Sequence, residues 1–402
     1  VTKLAECQLR TDWKNLMIPY GKQDIQQSDI DAVVEVLTSD FLTQGPKVPA
    51  FESAVAEKVG AKHTLAVNSA TSALHIACLA LGLGKGDWLW TTPVTFVASA
   101  NCGLYCGAQV DFVDIDPKTY NISVSALKDK LEKACSEKRL PKVLVVVHLC
   151  GQPCEMQEIK LLADEYGVKV IEDASHAIGG KYQHDYIGNC KYSDITIFSF
   201  HPVKIITTAE GGMALTNSNE LANKMNLFRS HGITRDPDLM TQDPDGSWYY
   251  QQVELGFNYR MTELQAALGL SQLDRLGEYV ARRHELAKRY DSLLSALPLT
   301  LPWQHPDSYS GLHLYVMRLN LSEISVSHRD VFESLREQGI GVNLHYIPVH
   351  TQPYYQKFGF KAEDFPEAMA YYQEAISLPM YPNLTDDEQD KVFKALEKAL
   401  EL

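Results

Sequence analysis

The sequence predicts an α/β protein in which a parallel or mixed β-sheet is covered by helices and followed by a smaller C-terminal α/β domain. Three observations predict it. From residue 64 to 216, short apolar runs alternate with helix-like stretches, as they do where helical crossovers join parallel strands. The 402 residues exceed what one ordinary core holds, which points to two domains. A charge-faced helical stretch over 260–297 then leads to a second, shorter set of patterned segments. The expected division is 17–275 for the large domain and 276–402 for the small one.

The elements follow in order. A strand is expected at 64–67 with a helix over 70–81, then a strand at 88–92 with a helix over 96–105. A strand at 110–115 precedes a helix across 123–136. Residues 143–149 form a nearly continuous apolar run, the mark of a strand buried on both faces, and a helix across 155–166 comes next. Strands at 168–171, 195–200 and 213–216 complete the sheet. In the C-terminal part a strand is expected at 313–319, a helix at 328–338, a strand at 341–346 and a final helix from 385. The loop 234–250 carries Asp236-Pro237 and Asp243-Pro244-Asp245-Gly246 and is expected to be mobile.

The bulk numbers exclude several classes. Hydrophobic content of 45% and charged content of 22% fit a globular chain. With 37 basic against 51 acidic residues, net -14, neither nucleic acid nor an anionic membrane is expected as the main partner. No run approaches the ~18 apolar residues of a membrane span. Residues 1–16 lack an apolar signal core and read as an extension or remnant ahead of a start at Met17, so the expected location is cytoplasmic. The eight cysteines are then expected to be free thiols. Cys102/Cys106 and Cys150/Cys154 have the gap of a zinc-binding pair but no histidine pair nearby; they read as small buried hydrophobes, and no metal is expected.

The chemistry centres on Lys204. It lies between the apolar run at 195–200 and the Gly211-Gly212 turn into the next one. A desolvated lysine amine has a lowered pKa and forms a Schiff base with an aldehyde; a lysine snorkelling from a strand end fits the segment equally well. Three other segments bear on the choice. Asn68-Ser69-Ala70-Thr71 puts small and hydroxyl residues at a helix start, where free N–H groups bind phosphate or Ser69 merely caps the helix. Asp173 follows a buried strand, three residues before His176, and needs a cation or donors unless it sits in an exposed loop. Phe96, between a strand and a helix, stacks on a flat ring or fills core. Together these are the four functions that pyridoxal phosphate requires: an amine, a phosphate cradle, a stacking aromatic and a carboxylate that keeps the pyridine nitrogen protonated. Ser199 adds a hydroxyl five residues before the lysine.

The chain also resembles the sugar aminotransferases of the DegT/DnrJ/EryC1/StrS group, of aspartate-aminotransferase fold type I. The resemblance runs from about Ile18 to the C-terminus. It rests on Thr43-Gln44-Gly45, Asn68-Ser69-Ala70-Thr71, Glu172-Asp173-Ala174-Ser175-His176, Ser199-Phe200-His201 with Lys204, Glu210-Gly211-Gly212, Arg229-Ser230-His231-Gly232, Gly256-Phe257-Asn258-Tyr259-Arg260-Met261 and His345-Tyr346. It implies that Lys204 holds the cofactor and moves the proton, that Asp173 holds the pyridine nitrogen and that Phe96 stacks on the ring. Ala70, Thr71 and Ser199 would bind the phosphate, and His176 would sit near the cofactor's phenolic oxygen or the substrate. Asn258 would reach the neighbouring subunit's cofactor, which implies a homodimer with shared sites.

Within that family the stretch 199–212 is similar to members that aminate C4 of a UDP-linked 4-keto-6-deoxy-N-acetylhexosamine in pseudaminic acid synthesis, with L-glutamate as donor. The nucleotide-sugar contacts would then fall on Tyr20, Asp40, Phe41, Leu42, Thr43, His345 and Tyr346, with Tyr20 alternatively a surface anchor for the amino-terminal arm. The competing readings are amination of another keto nucleotide sugar and a non-catalytic sensor that keeps the cofactor fold. His148 and His201 are left without a role.

Overall fold

The computed structural model describes residues 17–401. A seven-stranded sheet forms its centre. The strands are β1 (His63–Val67), β2 (Trp88–Thr91), β3 (Gln109–Phe112), β4 (Val143–Val147), β5 (Lys169–Asp173), β6 (Ile195–Ser199) and β7 (Gly212–Thr216), in the order β1-β7-β6-β5-β4-β2-β3. Only β7 runs against its neighbours. The rest are parallel, joined by helical crossovers such as Ala98–Tyr105, Val124–Ser136 and Met156–Tyr166.

The apolar pattern explains the layering. All five residues of β4, Val-Leu-Val-Val-Val, are buried. Leu144 and Val146 enter a cluster with Phe51, Phe198 and Met213 on one face, while Val143 and Val145 enter a second with Leu65, Val67 and Ile197 on the other. That is the two-residue period of a strand covered on both sides. Helix starts are capped where hydroxyls stand: Ser69, Ser123, Ser218 and Thr262 each accept an N–H from the first turn.

Helices Glu263–Leu273 and Leu276–Leu294 lead out of the sheet region. A third apolar cluster joins Ile18 and Leu286 to residues as far as Leu400. It packs under a three-stranded antiparallel sheet whose middle strand is Tyr315–Leu319, flanked by Leu299–Thr300 and Ala375–Leu378. Two expectations need correction. The segment 341–346 is not a strand: it meets Ala375–Leu378 at a single bridge, Asn343 to Ser377, and then turns away through a cis His345–Tyr346 peptide. The helix expected from 96 begins at Ala98, which leaves Phe96 on the turn before it. The stretch 234–250 is closed at its base by a two-residue ladder between Ile233–Thr234 and Gln251–Gln252. The amino-terminal segment 1–16 lies outside the described residues. Among those residues seven cysteines are free, and no helix is long and apolar enough to cross a membrane.

Candidate active site

A cleft of about 520 Å³ opens at the carboxyl ends of the parallel strands, where a sheet of this kind binds ligands. The last residues of three strands form its floor: Val147 of β4, Asp173 of β5 and Ser199 of β6.

Behind β1, helix Ala70–Ala80 points its N-terminus into the cleft. Ser69 caps it, its Oγ accepting the Ser72 N–H at 3.1 Å. That leaves the first-turn N–H groups of Ala70 and Thr71 without an intrahelical acceptor. The Ser69 cap is therefore present and leaves the cradle reading of this segment open. β7 fits against the turn so closely that a Cβ on Gly212 would lie 2.4 Å from Ala70 N, so only glycine passes.

Asp173 is 5% exposed. Ser99 Oγ donates to its Oδ2 at 2.7 Å, and Ser175 donates to Oδ1 through Oγ at 2.6 Å and N–H at 3.2 Å. Thr95 Oγ1 lies 2.9 Å from Ser99 Oγ and extends the chain. Each carboxylate oxygen has more than one acceptor site, so Oδ2 retains capacity for a donor from the cleft. The neighbouring Glu172 points to the opposite face of β5. There its Oε2 lies 2.8 Å from His148 Nε2, and Ser193 Oγ donates to Oε1 at 2.5 Å. The Cys154 N–H donates to His148 Nδ1, so the proton on Nε2 is the one given to Glu172. His148 belongs to this buried scaffold, away from the cleft.

Lys204 sits in the loop between β6 and β7. Thr207 Oγ1 and Thr208 N–H both donate to Phe200 O at 2.9 Å, and the Lys204 N–H donates to His201 O at 2.9 Å. These bonds hold the loop closed and present the amine to the cleft. Burial pushes the Lys204 pKa down to about 8, and the Asp173 carboxylate opposes that shift.

The remaining wall is rich in histidine. The Cys150 N–H donates to His176 Nδ1 at 3.2 Å, and His176 Nε2 lies 3.1 Å from Tyr346 Oη. The ring proton of His176 therefore sits on Nε2. Burial, helped by Lys204, holds its pKa well below the usual histidine range. His345 touches Ser377 Oγ at 2.8 Å through Nδ1; burial and then Lys204 hold its pKa down at about 3. Tyr20 reaches the cleft because residues Ile18 to Tyr20 are laid along 339–341, with Ile18 N–H on Gly339 O and Met380 N–H on Tyr20 O. Its ring lies 5.2 Å from that of His345 and lines the cleft. His201 also lines the cleft from an exposed position, 3.9 Å from Glu210 Oε1.

Ten of the expected residues thus meet: Tyr20, Ala70, Thr71, Phe96, Asp173, His176, Ser199, Lys204, His345 and Tyr346. Five lie outside this chain's cleft. Asp40, Phe41, Leu42 and Thr43 form an exposed loop, with Phe41 and Leu42 at 53% and 50% exposure. Asn258 is exposed, its carbonyl accepting from Asn68 Nδ2 at 3.3 Å. Sequence reasoning gave no role to Ser99 and Thr95, although it singled out Phe96 between them, nor to His313 at the start of the strand expected over 313–319.

The residues fit pyridoxal phosphate: free N–H groups for a phosphate, an open aromatic face at 57% exposure on Phe96, a buried carboxylate with acceptor capacity left and a desolvated lysine. Fold and cleft together define an enzyme of the pyridoxal-phosphate class. More narrowly, the chain belongs to the DegT/DnrJ/EryC1/StrS aminotransferase family, which it matches over residues 23–397.

It is 41% identical over 386 residues to the spore coat polysaccharide biosynthesis protein SpsC of Bacillus subtilis, covering 95% of this chain and 97% of that one. It is 39% identical over 387 residues to the UDP-4-amino-4,6-dideoxy-N-acetyl-beta-L-altrosamine transaminase of Campylobacter jejuni, covering 95% and 98%. Among solved structures it is similar to Helicobacter pylori PseC, an aminotransferase of pseudoaminic acid biosynthesis, with TM-score 0.86 and 33% identity over 96% of this chain and 99% of that one. It is also similar to the pyridoxamine-phosphate form of a putative sugar aminotransferase, Spr1654 of Streptococcus pneumoniae, with TM-score 0.87 and 29% identity over 96% and 99%.

Proposed function

We propose that this enzyme moves the amino group of L-glutamate to C4 of a UDP-linked 4-keto-6-deoxy-N-acetylhexosamine, releasing 2-oxoglutarate and the 4-amino sugar. The observation that carries the reading is Lys204 beside Asp173 at the strand ends, an amine with a pKa near 8 facing a buried carboxylate that has no cation bonded to it among the described residues. The substrate rests on the altrosamine transaminase relative at 39% identity.

Bound pyridoxal phosphate supplies an electron-withdrawing ring that stabilises the charge left when a proton is removed from the substrate carbon. The chain's residues do the rest. Lys204 Nζ holds the cofactor, then takes the proton from the donor carbon and later delivers one to C4 of the sugar. Asp173 Oδ2 would accept a hydrogen bond from the protonated ring nitrogen and so keep the proton on the ring. The N–H groups of Ala70 and Thr71, with Ser199 Oγ, hold the phosphate. Phe96 covers one ring face, and His176 orients Tyr346 toward the substrate. Tyr20 and His345 meet the sugar nucleotide. Asn258 and the loop of Asp40, Phe41, Leu42 and Thr43 serve the site of a partner in a cytoplasmic homodimer; the exposed Ile30, Val34 and Leu37 beside that loop support this assembly.

The test is amino transfer from isotope-labelled glutamate, read by mass spectrometry of the sugar nucleotide. Label in the 4-amino sugar is expected. A protein that converts glutamate yet leaves this sugar unlabelled overturns the substrate assignment. The spore coat relative, at 41% identity, favours amination of a different keto nucleotide sugar as the second reading.

A further inference from the structure

We propose that His313, which none of the motifs above contains, contacts the keto sugar directly and is held for that purpose by the buried Arg283. This rests on the amino-transfer reading above.

His313 lines the cleft at 3% exposure, with its ring centroid 4.5 Å from that of His176. Its Nδ1 is buried and has no hydrogen-bond partner among the described residues. A buried unpaired ring nitrogen costs about 1–3 kcal/mol, so an apolar side chain would serve a purely structural position better. Turning the ring about χ2 exchanges Nδ1 with a carbon, so whichever side offers a partner sets its orientation. In the orientation shown the protein offers Nδ1 no partner among the described residues, and the ring lines the cleft, so a ligand there is the partner that turning the ring would meet. Burial, with His176 and Lys204 adding repulsion, keeps the ring neutral.

The backbone around it is fixed with unusual care. Arg283, 1% exposed on helix Leu276–Leu294, donates through Nη1 to Leu312 O at 3.2 Å, His313 O at 3.0 Å and Met380 O at 3.0 Å. A buried guanidinium normally faces a carboxylate; this one faces three carbonyls. Leu312 adopts φ 46°, a costly conformation for a branched residue, and Gly311 packs so tightly that a Cβ would lie 3.0 Å from His176 O. The result is one neutral imidazole set rigidly in the wall.

The charge of the wall says which substrate it meets. Lys204 is the one lysine or arginine among the described lining residues, against Asp173 and Glu210. A neutral ring in such a wall suits a sugar carbonyl or hydroxyl, while a second carboxylate would call for a cation.

The experiment follows the two half-reactions separately on holoenzyme, glutamate first and then the UDP-linked keto sugar, for wild type, His313→Phe and His313→Gln. His313→Phe keeps an aromatic ring against His176 and removes the ring nitrogens. It is expected to keep the wild-type melting midpoint and glutamate half-reaction, and to lose roughly tenfold or more in kcat/KM for the keto sugar. His313→Gln, which restores a polar end, recovers part of that loss. If His313→Phe does not fold, the same split in His313→Gln decides. An unchanged sugar half-reaction, or equal losses in both halves, overturns the contact and leaves His313 a packing residue. If wild type itself aminates no keto sugar, the substrate reading fails and this contact fails with it. If wild type aminates and His313→Phe aminates equally well, only the contact fails.

Discussion

Asp29 and Asp173 are buried to similar depths, 1% and 5% exposed, but their surroundings differ in kind. Asp29 is met by Arg275 Nη2 on both oxygens at 2.8 and 2.7 Å, by Ser271 at 2.6 Å, by Gln272 at 2.7 Å and by the Gln26 N–H at 2.9 Å. Among the described residues Asp173 is met only by the hydroxyls of Ser99 and Ser175 and one N–H. The first carboxylate is electrostatically closed and ties helix Gln27–Leu37 to the end of Glu263–Leu273. The second is held in place and left short of a cation. Arg275 and Arg283 both find their partners inside the fold, the one a carboxylate and the other three carbonyls. Charges whose partners lie inside the fold stabilise it, and charges left short of a partner await a ligand.

That division can be broken most sharply at Lys204. Lys204→Ala is expected to lower turnover by about 10⁴-fold, the upper range for losing a positioned base, and to abolish covalent retention of the cofactor through gel filtration. The melting midpoint of the cofactor-free protein should barely move. Retained turnover would return Lys204 to the snorkelling reading.

The two aspartates should then separate activity from stability. Asp173→Asn keeps its shape and loses its charge, and is expected to cost roughly 10²–10³-fold in kcat with little change in urea midpoint. Asp29→Asn leaves Arg275 in a buried site without its counter-charge, which costs about 3–5 kcal/mol of stability, while kcat of the folded fraction stays near wild type. Arg275 and its other donors hold the Asp29 carboxyl below the usual range against the opposing effect of burial. Its contribution is therefore present above the unfolded carboxylate pKa and is lost as pH falls through the depressed folded value, so the deficit of Asp29→Asn in urea should shrink in acid. Equal effects of the two substitutions on kcat would erase the comparison.

The pH profile of the sugar half-reaction sharpens it further. Lys204, with a pKa near 8, must be neutral to take a proton, so the rate should fall about tenfold per pH unit below 8. His345, at about 3, and His176, held well below its usual range, are already neutral and should add no limb near pH 6. A limb there, removed by His176→Gln, would show that the histidine wall titrates.

What could be read in advance follows the same line. Strands buried on both faces read as apolar runs, so β4 to β7 stand where the pattern puts them, and Asp173 and Lys204 show because each polar residue ends or interrupts such a run. The segment 341–346 alternates like a strand, but its partner, Ala375–Leu378, lies about thirty residues on and meets it only at Asn343. Nothing local could reveal that. Ser99 meets Asp173 from 74 residues away, and Arg283 reaches His313 from 30. Each is an ordinary helix residue until tertiary structure brings its partner. The part of the site built from distant single residues is therefore the part that local sequence does not show.

Ser99 and Ser271 give the smallest and most discriminating test, since each donates one hydroxyl to one of the two aspartates, at 2.7 and 2.6 Å. A hydrogen bond to a charged group is worth about 1.5–3 kcal/mol when nothing replaces it. Ser99 is the one donor to Asp173 Oδ2 among the described residues, and its partner there is a carboxylate kept for the cofactor's ring. Ser99→Ala should therefore weaken cofactor binding about tenfold, read by fluorescence titration of the cofactor-free protein, with melting midpoint unchanged. Asp29 keeps Arg275, Gln272 and the Gln26 N–H when Ser271 is lost. Ser271→Ala should cost about 1 kcal/mol or less in urea unfolding and nothing in cofactor affinity. If Ser99→Ala lowers stability as Ser271→Ala does and leaves cofactor affinity untouched, Asp173 is a scaffold charge like Asp29, and the cleft has no carboxylate in reserve for the ring.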